Sequence, residues 1–72
     1  KRIYLAGTFN NWDPFMYNLE EVMPGRYELY LPLPNGVWYY AYFTDGKQIP
    51  DTTNHKHVYM ADGRTASVIS VE

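Results

Sequence analysis

Apolar and polar residues alternate with a period of two over several short stretches of the chain. Alternation of this kind is typical of strands that bury one face, and helical periodicity does not compete with it anywhere. The pattern predicts strands over residues 2–9, 18–22, 26–33, 37–44, 47–49, 58–60 and 66–71. Six to eight short antiparallel strands of this kind favour an all-β sandwich over a mixed fold.

Four dipeptides typical of turns separate these stretches: Pro24-Gly25, Asn35-Gly36, Asp45-Gly46 and Asp62-Gly63. Asn35-Gly36 is the strongest hairpin signal, because both central positions of a type I′ turn need a positive φ, which Asn and Gly tolerate. Asp45-Gly46 carries the same hairpin signal. Two hairpins in succession predict a meander through the middle of the chain.

Composition narrows the possible partners. The 72 residues fit one domain (1–72), contain no Cys, and carry a net charge of −2, with basic residues that do not cluster. The scattered charge argues against nucleic acid as a partner, and no apolar run is long enough to cross a bilayer. Because the chain starts at Lys1 without an initiator Met, we expect a segment of a larger polypeptide.

Catalysis is poorly supported by the sequence. No Ser lies in the context of a nucleophile elbow, and the only histidines are His55 and His57. On a strand this pair would lie on one face, as metal ligands would, but no third ligand is signalled. We therefore expect no enzyme activity in these residues, no cofactor and no metal.

Trp12 is the residue that the pattern singles out. It follows Asn10 and Asn11 in a loop that Asp13 and Pro14 complete. An indole in such a loop either plugs the sandwich or is exposed as a stacking platform. The apolar face of a sugar ring stacks on an indole while amides bond its hydroxyls, so Asn10, Asn11 and Trp12 form a candidate sugar site.

The string Leu5-Ala6-Gly7-Thr8-Phe9-Asn10-Asn11-Trp12 resembles the GxFNxW opening of glycogen-binding and isoamylase N-terminal domains. These domains, which include the type found in the β subunit of AMP-activated protein kinase, are grouped as carbohydrate-binding module family 48. The likeness continues through residues 24–28, 33–36, 40–46 and 67–71. It implies an early-set immunoglobulin-like sandwich and a non-catalytic module that binds an α-glucan such as glycogen, starch or a maltooligosaccharide.

The resemblance also implies site residues. Glycogen-binding members use two tryptophans, a lysine and an asparagine, and the first tryptophan corresponds to Trp12. The second falls at Lys47 or Gln48, which we expect to supply polar contacts instead. The lysine falls in the Tyr40-Ala41-Tyr42 segment and the asparagine at Ala66 or Ser67, so this chain replaces both.

Two alternatives remain open. If Tyr40 and Tyr42 point inward as in the family, then Tyr39, Ala41 and Phe43 point outward as an apolar stripe that docks on a neighbouring domain or subunit. Alternatively, the chain is the N-terminal accessory domain of an α-glucan branching or debranching enzyme whose catalytic residues lie elsewhere.

Overall fold

The computed structural model describes residues 2–72 and contains eight strands in two sheets, with no helix among those residues. No part of this range therefore forms a helix that could cross a membrane. The prediction of an all-β fold of short antiparallel strands is confirmed. The strands are β1 (Tyr4–Gly7), β2 (Tyr17–Asn18), β3 (Glu20–Met23), β4 (Arg26–Glu28), β5 (Gly36–Thr44), β6 (Lys47–Ile49), β7 (His57–Tyr59) and β8 (Thr65–Val71).

The larger sheet has six strands in the order β2-β1-β5-β8-β7, with β6 paired to the end of β5. The smaller sheet is the hairpin of β3 and β4. Every strand pair is antiparallel. The nine residues of β5 pair with β1, β6 and β8, so this strand organises the larger sheet.

The inner face of the larger sheet looks toward β4 and the segment that follows it. Tyr40 and Tyr42 line an apolar cavity of about 430 Å³ there, together with Leu5 from β1 and Tyr27 from β4. Tyr40 is buried and Tyr42 half-buried. The prediction that both tyrosines point inward is therefore confirmed, and the cavity shows that the two layers are loosely packed.

Two turns follow the prediction closely. Asp45 and Gly46 have φ of 52° and 75°, and they join β5 to β6 directly between the paired residues Thr44 and Lys47. These positive angles are those of a type I′ turn. Gly25, with φ of 80°, turns the chain between β3 and β4.

The hairpin predicted at Asn35-Gly36 is wrong. The predicted strand over residues 26–33 ends at Glu28, and β4 pairs with β3 while β5 pairs with strands of the other sheet. Pro32 and Pro34 have no backbone N–H to donate to a ladder, so the chain cannot continue as a paired strand up to the turn. Residues 29–35 instead cross from one sheet to the other.

The predicted outer stripe is not exposed at its centre. Ala41 has no exposed surface, and Ala6, its partner across the β1–β5 ladder, is equally buried. Tyr39 is 38% exposed and Phe43 is half-buried. Alternation places all three stripe residues on the outer face, so Ala41 points outward without reaching solvent, and a docking role for the stripe stays a prediction.

Gly7 ends β1 at a point of close approach between backbones. A Cβ atom at this position would collide with the carbonyl oxygen of Tyr39 and would lie 2.6 Å from the Cε2 atom of Phe9. Only glycine therefore allows the end of β1 to lie this close to β5.

We expect Gly7→Ala to lower the free energy of unfolding by about 1–3 kcal/mol, because the added methyl group must push a backbone carbonyl aside. Urea denaturation, with the midpoint and slope fitted separately, measures this loss.

Gly25→Ala is the matched control. Gly25 has a φ of 80° but no atom within 4 Å of the added Cβ, so only the left-handed conformation is penalised. Its expected cost is about 1 kcal/mol. An equal or smaller loss in Gly7→Ala would contradict the close approach.

Candidate functional site

The loop that carries Trp12 is held together by hydrogen bonds centred on Gly7. The carbonyl oxygen of Gly7 accepts bonds from the backbone N–H groups of Asn10, at 3.2 Å, and Trp12, at 2.9 Å. The backbone N–H of Gly7 donates to Oδ1 of Asn10 at 3.0 Å, and Nδ2 of Asn10 donates to the carbonyl oxygen of Asp13 at 3.2 Å. Both ends of the Asn10 amide are therefore used to close the loop.

The backbone of this loop is strained at Trp12. Asn11 and Trp12 have φ of 56° and 59°, in the left-handed region. Asn tolerates this region, but a bulky residue such as Trp rarely adopts it, at a cost of about 1–3 kcal/mol. The hydrogen bonds to Gly7 hold the indole in this conformation, and strain of this kind is concentrated at functional sites.

Trp12 lines a groove of about 330 Å³ on the outer face of the larger sheet. The groove is formed by one loop, the central strand and the hairpin of β7 and β8, and its lining residues are Thr8, Trp12, Tyr39, Val58, Met60 and Ala66. Its volume lies at the lower end of the range of about 300–1,000 Å³ that is usual for small-ligand sites. Both apolar and aromatic surface is available there for stacking.

The structure brings some of the predicted site residues to this groove and not others. Asn11 is exposed beside Trp12, whereas the amide of Asn10 is committed to the loop. Lys47 is exposed and pairs with Thr44, so alternation places it on the opposite face of β6 from Gln48. Lys47 is not among the residues that line the groove, so its contact with a ligand stays a prediction.

Gln48 contacts the groove indirectly, through one of its lining residues. Its Nε2 atom donates to Sδ of Met60 at 3.2 Å and to the carbonyl oxygen of Thr65 at 3.1 Å. Its Oε1 atom is buried and finds no hydrogen-bond partner within residues 2–72. Gln48 thus holds Met60, which lines the groove, and does not itself line it.

A second polar cluster lies at the edge of the inner cavity, around Asp51. Oδ2 of Asp51 accepts hydrogen bonds from the hydroxyl groups of Tyr40, at 2.8 Å, and Tyr42, at 3.4 Å. Oδ1 accepts two bonds from Thr53, and the backbone N–H of Asp51 donates to Oγ of Ser67 at 2.9 Å. The cluster pins the loop after β6 to the inner face of the larger sheet.

These contacts shift the ionisation of the cluster. Partial burial favours the neutral form of Asp51, but hydrogen bonds from Thr53, Tyr40 and Tyr42 outweigh it and lower the pKa of the carboxyl. Burial, reinforced by the negative charge of Asp51, raises the pKa of Tyr42 to about 12. Burial also raises the pKa of Tyr40. Asp51 is therefore a stable anion held by neutral phenols.

Comparison with known proteins gives a limited match. No family model matches the chain. A stretch of 30 residues is 43% identical to a 1,4-alpha-glucan-branching enzyme of Felis catus, and it covers 42% of this chain. The match spans 4% of the length of that enzyme. The chain is thus similar, over part of its length, to a small portion of a protein named for its action on an α-glucan.

The two histidines do not build a metal centre with other residues. His55 and His57 are exposed, and Nδ1 of His57 lies 3.1 Å from the carbonyl oxygen of His55. The ring of His57 packs edge-on against Tyr59. The part of the chain that the structure describes holds no group of three or more His, Cys, Asp or Glu side chains placed to bind a metal ion.

The sequence predicts Trp12 as a sugar-binding residue but none of the five other residues that line the groove. Tyr39 was assigned to a separate docking stripe, and Val58 and Met60 carried no signal beyond their place in a short strand. The outward position of Tyr39 was available from the alternation along β5, but its proximity to Trp12 was not.

The Asp51 cluster predicts how stability depends on alkaline pH. The raised pKa of Tyr42 means that its neutral form is favoured in the folded protein, so this contribution is complete below the ordinary phenol pKa of 10.0 and is lost as pH rises toward about 12. We expect the free energy of unfolding to fall over this interval, and Tyr42→Phe to make the fall shallower. Denaturant titrations at a series of pH values measure both curves. Parallel curves for the two proteins above pH 10 would contradict the assignment.

Proposed function

We propose that this domain is a non-catalytic module that binds an α-glucan, of the type grouped as carbohydrate-binding module family 48, and that it belongs to a larger protein. The observation that carries the proposal is Trp12, which is held in a strained left-handed conformation on an apolar groove. The similarity to a stretch of a glucan-branching enzyme supports the choice of an α-glucan.

Recognition would rest on the indole of Trp12. The C–H faces of a glucose ring are apolar and stack on an aromatic surface, while the hydroxyl groups around the ring stay in water or bond nearby amides. The exposed Asn11 is the amide nearest in sequence. A shallow site of this kind gives millimolar affinity, about −4 kcal/mol.

Asp51 does not suit the role of a glycosidase acid. Glycoside hydrolysis needs a carboxyl group that stays protonated long enough to act as an acid. Asp51 has a lowered pKa, and four hydrogen bonds from side chains and backbone occupy its oxygens. We infer that any activity of the parent protein resides outside these residues, as in an accessory domain of a branching or debranching enzyme.

A docking role is the second candidate, and exposed aromatic residues favour it. Phe15 is 77% exposed and Tyr30 88% exposed, and neither lines the Trp12 groove. The stripe first predicted for docking lacks Ala41, which is buried, so a neighbouring domain would contact an exposed aromatic residue such as Tyr30 rather than the stripe.

We expect Trp12→Ala to raise the Kd for maltoheptaose at least tenfold, a loss of about 1.4 kcal/mol. Heteronuclear NMR titration of the isolated domain measures it from backbone amide shifts in both proteins, with the indole signal of Trp12 followed in the wild type and that of Trp38 in both. Trp38 serves as an internal reference, because its Nε1–H donates to the carbonyl oxygen of Pro34 and it does not line the groove.

Two controls make the result specific. Tyr30→Ala removes a more exposed aromatic side chain far from the groove and should leave the Kd unchanged. Cellohexaose has the same sugar with a β linkage and should cause no saturable shift. The proposal would be overturned if Trp12→Ala kept the wild-type Kd. It would also be overturned if millimolar maltoheptaose caused no shifts in the wild-type spectrum.

A further inference from the structure

Tyr39 shares the groove with Trp12 although it is 27 positions away in the chain. The two residues are held in a defined relation by the start of the loop. The backbone N–H of Thr8 donates to the carbonyl oxygen of Tyr39 at 2.9 Å, and the backbone N–H of Tyr39 donates to Oγ1 of Thr8 at 3.2 Å. The loop that carries Trp12 is therefore attached directly to the residue that carries the second ring.

The lining of the groove leaves little other chemistry for recognition. Its polar side-chain atoms belong to Thr8, Trp12 and Tyr39, and the Thr8 hydroxyl oxygen already accepts the N–H of Tyr39. Val58, Met60 and Ala66 are apolar. Most of the surface that a ligand meets in the groove is therefore apolar, and aromatic rings provide the largest such contact per side chain.

Tyr39 has the exposure that such a contact needs. It is 38% exposed, whereas the neighbouring Tyr40 and Ala41 are buried. Ala66 also lines the groove. Its side chain is small and almost completely buried, so it leaves room beside the ring of Tyr39. Gln48, the other residue predicted for this region, is turned toward Met60 and Thr65 and offers no flat face.

We propose that Tyr39 is the second aromatic contact for the glucan, so that adjacent glucose residues of one chain lie against Trp12 and Tyr39. This inference rests on the proposed α-glucan function and assigns to sugar binding a residue first predicted for docking. The contact depends on the ring of Tyr39 and not on its hydroxyl group.

The test uses three variants of the domain in the maltoheptaose titration. Tyr39→Val keeps a residue that is favoured in strands but removes the ring, and we expect its Kd to rise about fivefold to tenfold. Tyr39→Phe keeps the ring and should bind within about twofold of the wild type. Tyr59→Val is the matched control, because Tyr59 is 75% exposed on β7 and does not line the groove.

A second measurement does not depend on the variants. Intermolecular nuclear Overhauser effects should connect sugar protons with the ring protons of both Trp12 and Tyr39 in the wild-type domain. If Tyr39→Val fails to fold, as judged from its amide spectrum, these effects decide the question.

The outcomes separate the two proposals. Saturable shifts at Trp12 with an unchanged Kd for Tyr39→Val, or with contacts to Trp12 alone, overturn the role of Tyr39 and leave the glucan function standing. The absence of any binding by the wild-type domain overturns both. Weaker binding by Tyr39→Val, with the wild-type Kd kept in Tyr39→Phe and Tyr59→Val, supports the second contact.

Discussion

The close approach of Gly7 to the carbonyl oxygen of Tyr39 is the constraint on which the outer face of the domain depends. It lets β1 end against β5, and the peptide groups of Gly7 then anchor the loop through Asn10 and Trp12. Because loop and strand share this anchor, the backbone position of Trp12 is set by hydrogen bonds to Gly7 and by the side chain of Asn10. A rigid sheet thus orients a half-buried loop residue, and loops positioned by a rigid scaffold commonly carry binding sites.

The central strand β5 gives the two faces of the larger sheet different characters. Its inward side chains, Tyr40 and Tyr42, line the loosely filled cavity and hold Asp51 through their hydroxyl groups. Its outward side chain Tyr39 lines the groove with Trp12. The period-two alternation of a single strand therefore separates a buried polar network from an apolar surface suited to stacking.

Local patterns in the sequence predicted what is determined locally. The all-β class and the turn at Asp45-Gly46 follow from alternation and from the φ that each residue tolerates, and the inward direction of Tyr40 and Tyr42 follows from the family resemblance. The hairpin at Asn35-Gly36 failed because its signal describes the turn alone, while Pro32 and Pro34 prevent the preceding segment from pairing. The groove could not be predicted, since Trp12, Tyr39 and Met60 come together through the pairing of distant strands.

The left-handed conformation of Trp12 lowers the stability of the fold at a position where the proposed sugar binding needs the indole. Glycine or asparagine would adopt this φ with little or no strain, so replacements that relieve the backbone also remove the indole. A selection for thermal resistance alone would favour such replacements. Persistence of tryptophan at this position among descendants of the chain would therefore indicate selection for the ring itself. Its loss would indicate lineages that kept the fold but no longer bind the ligand.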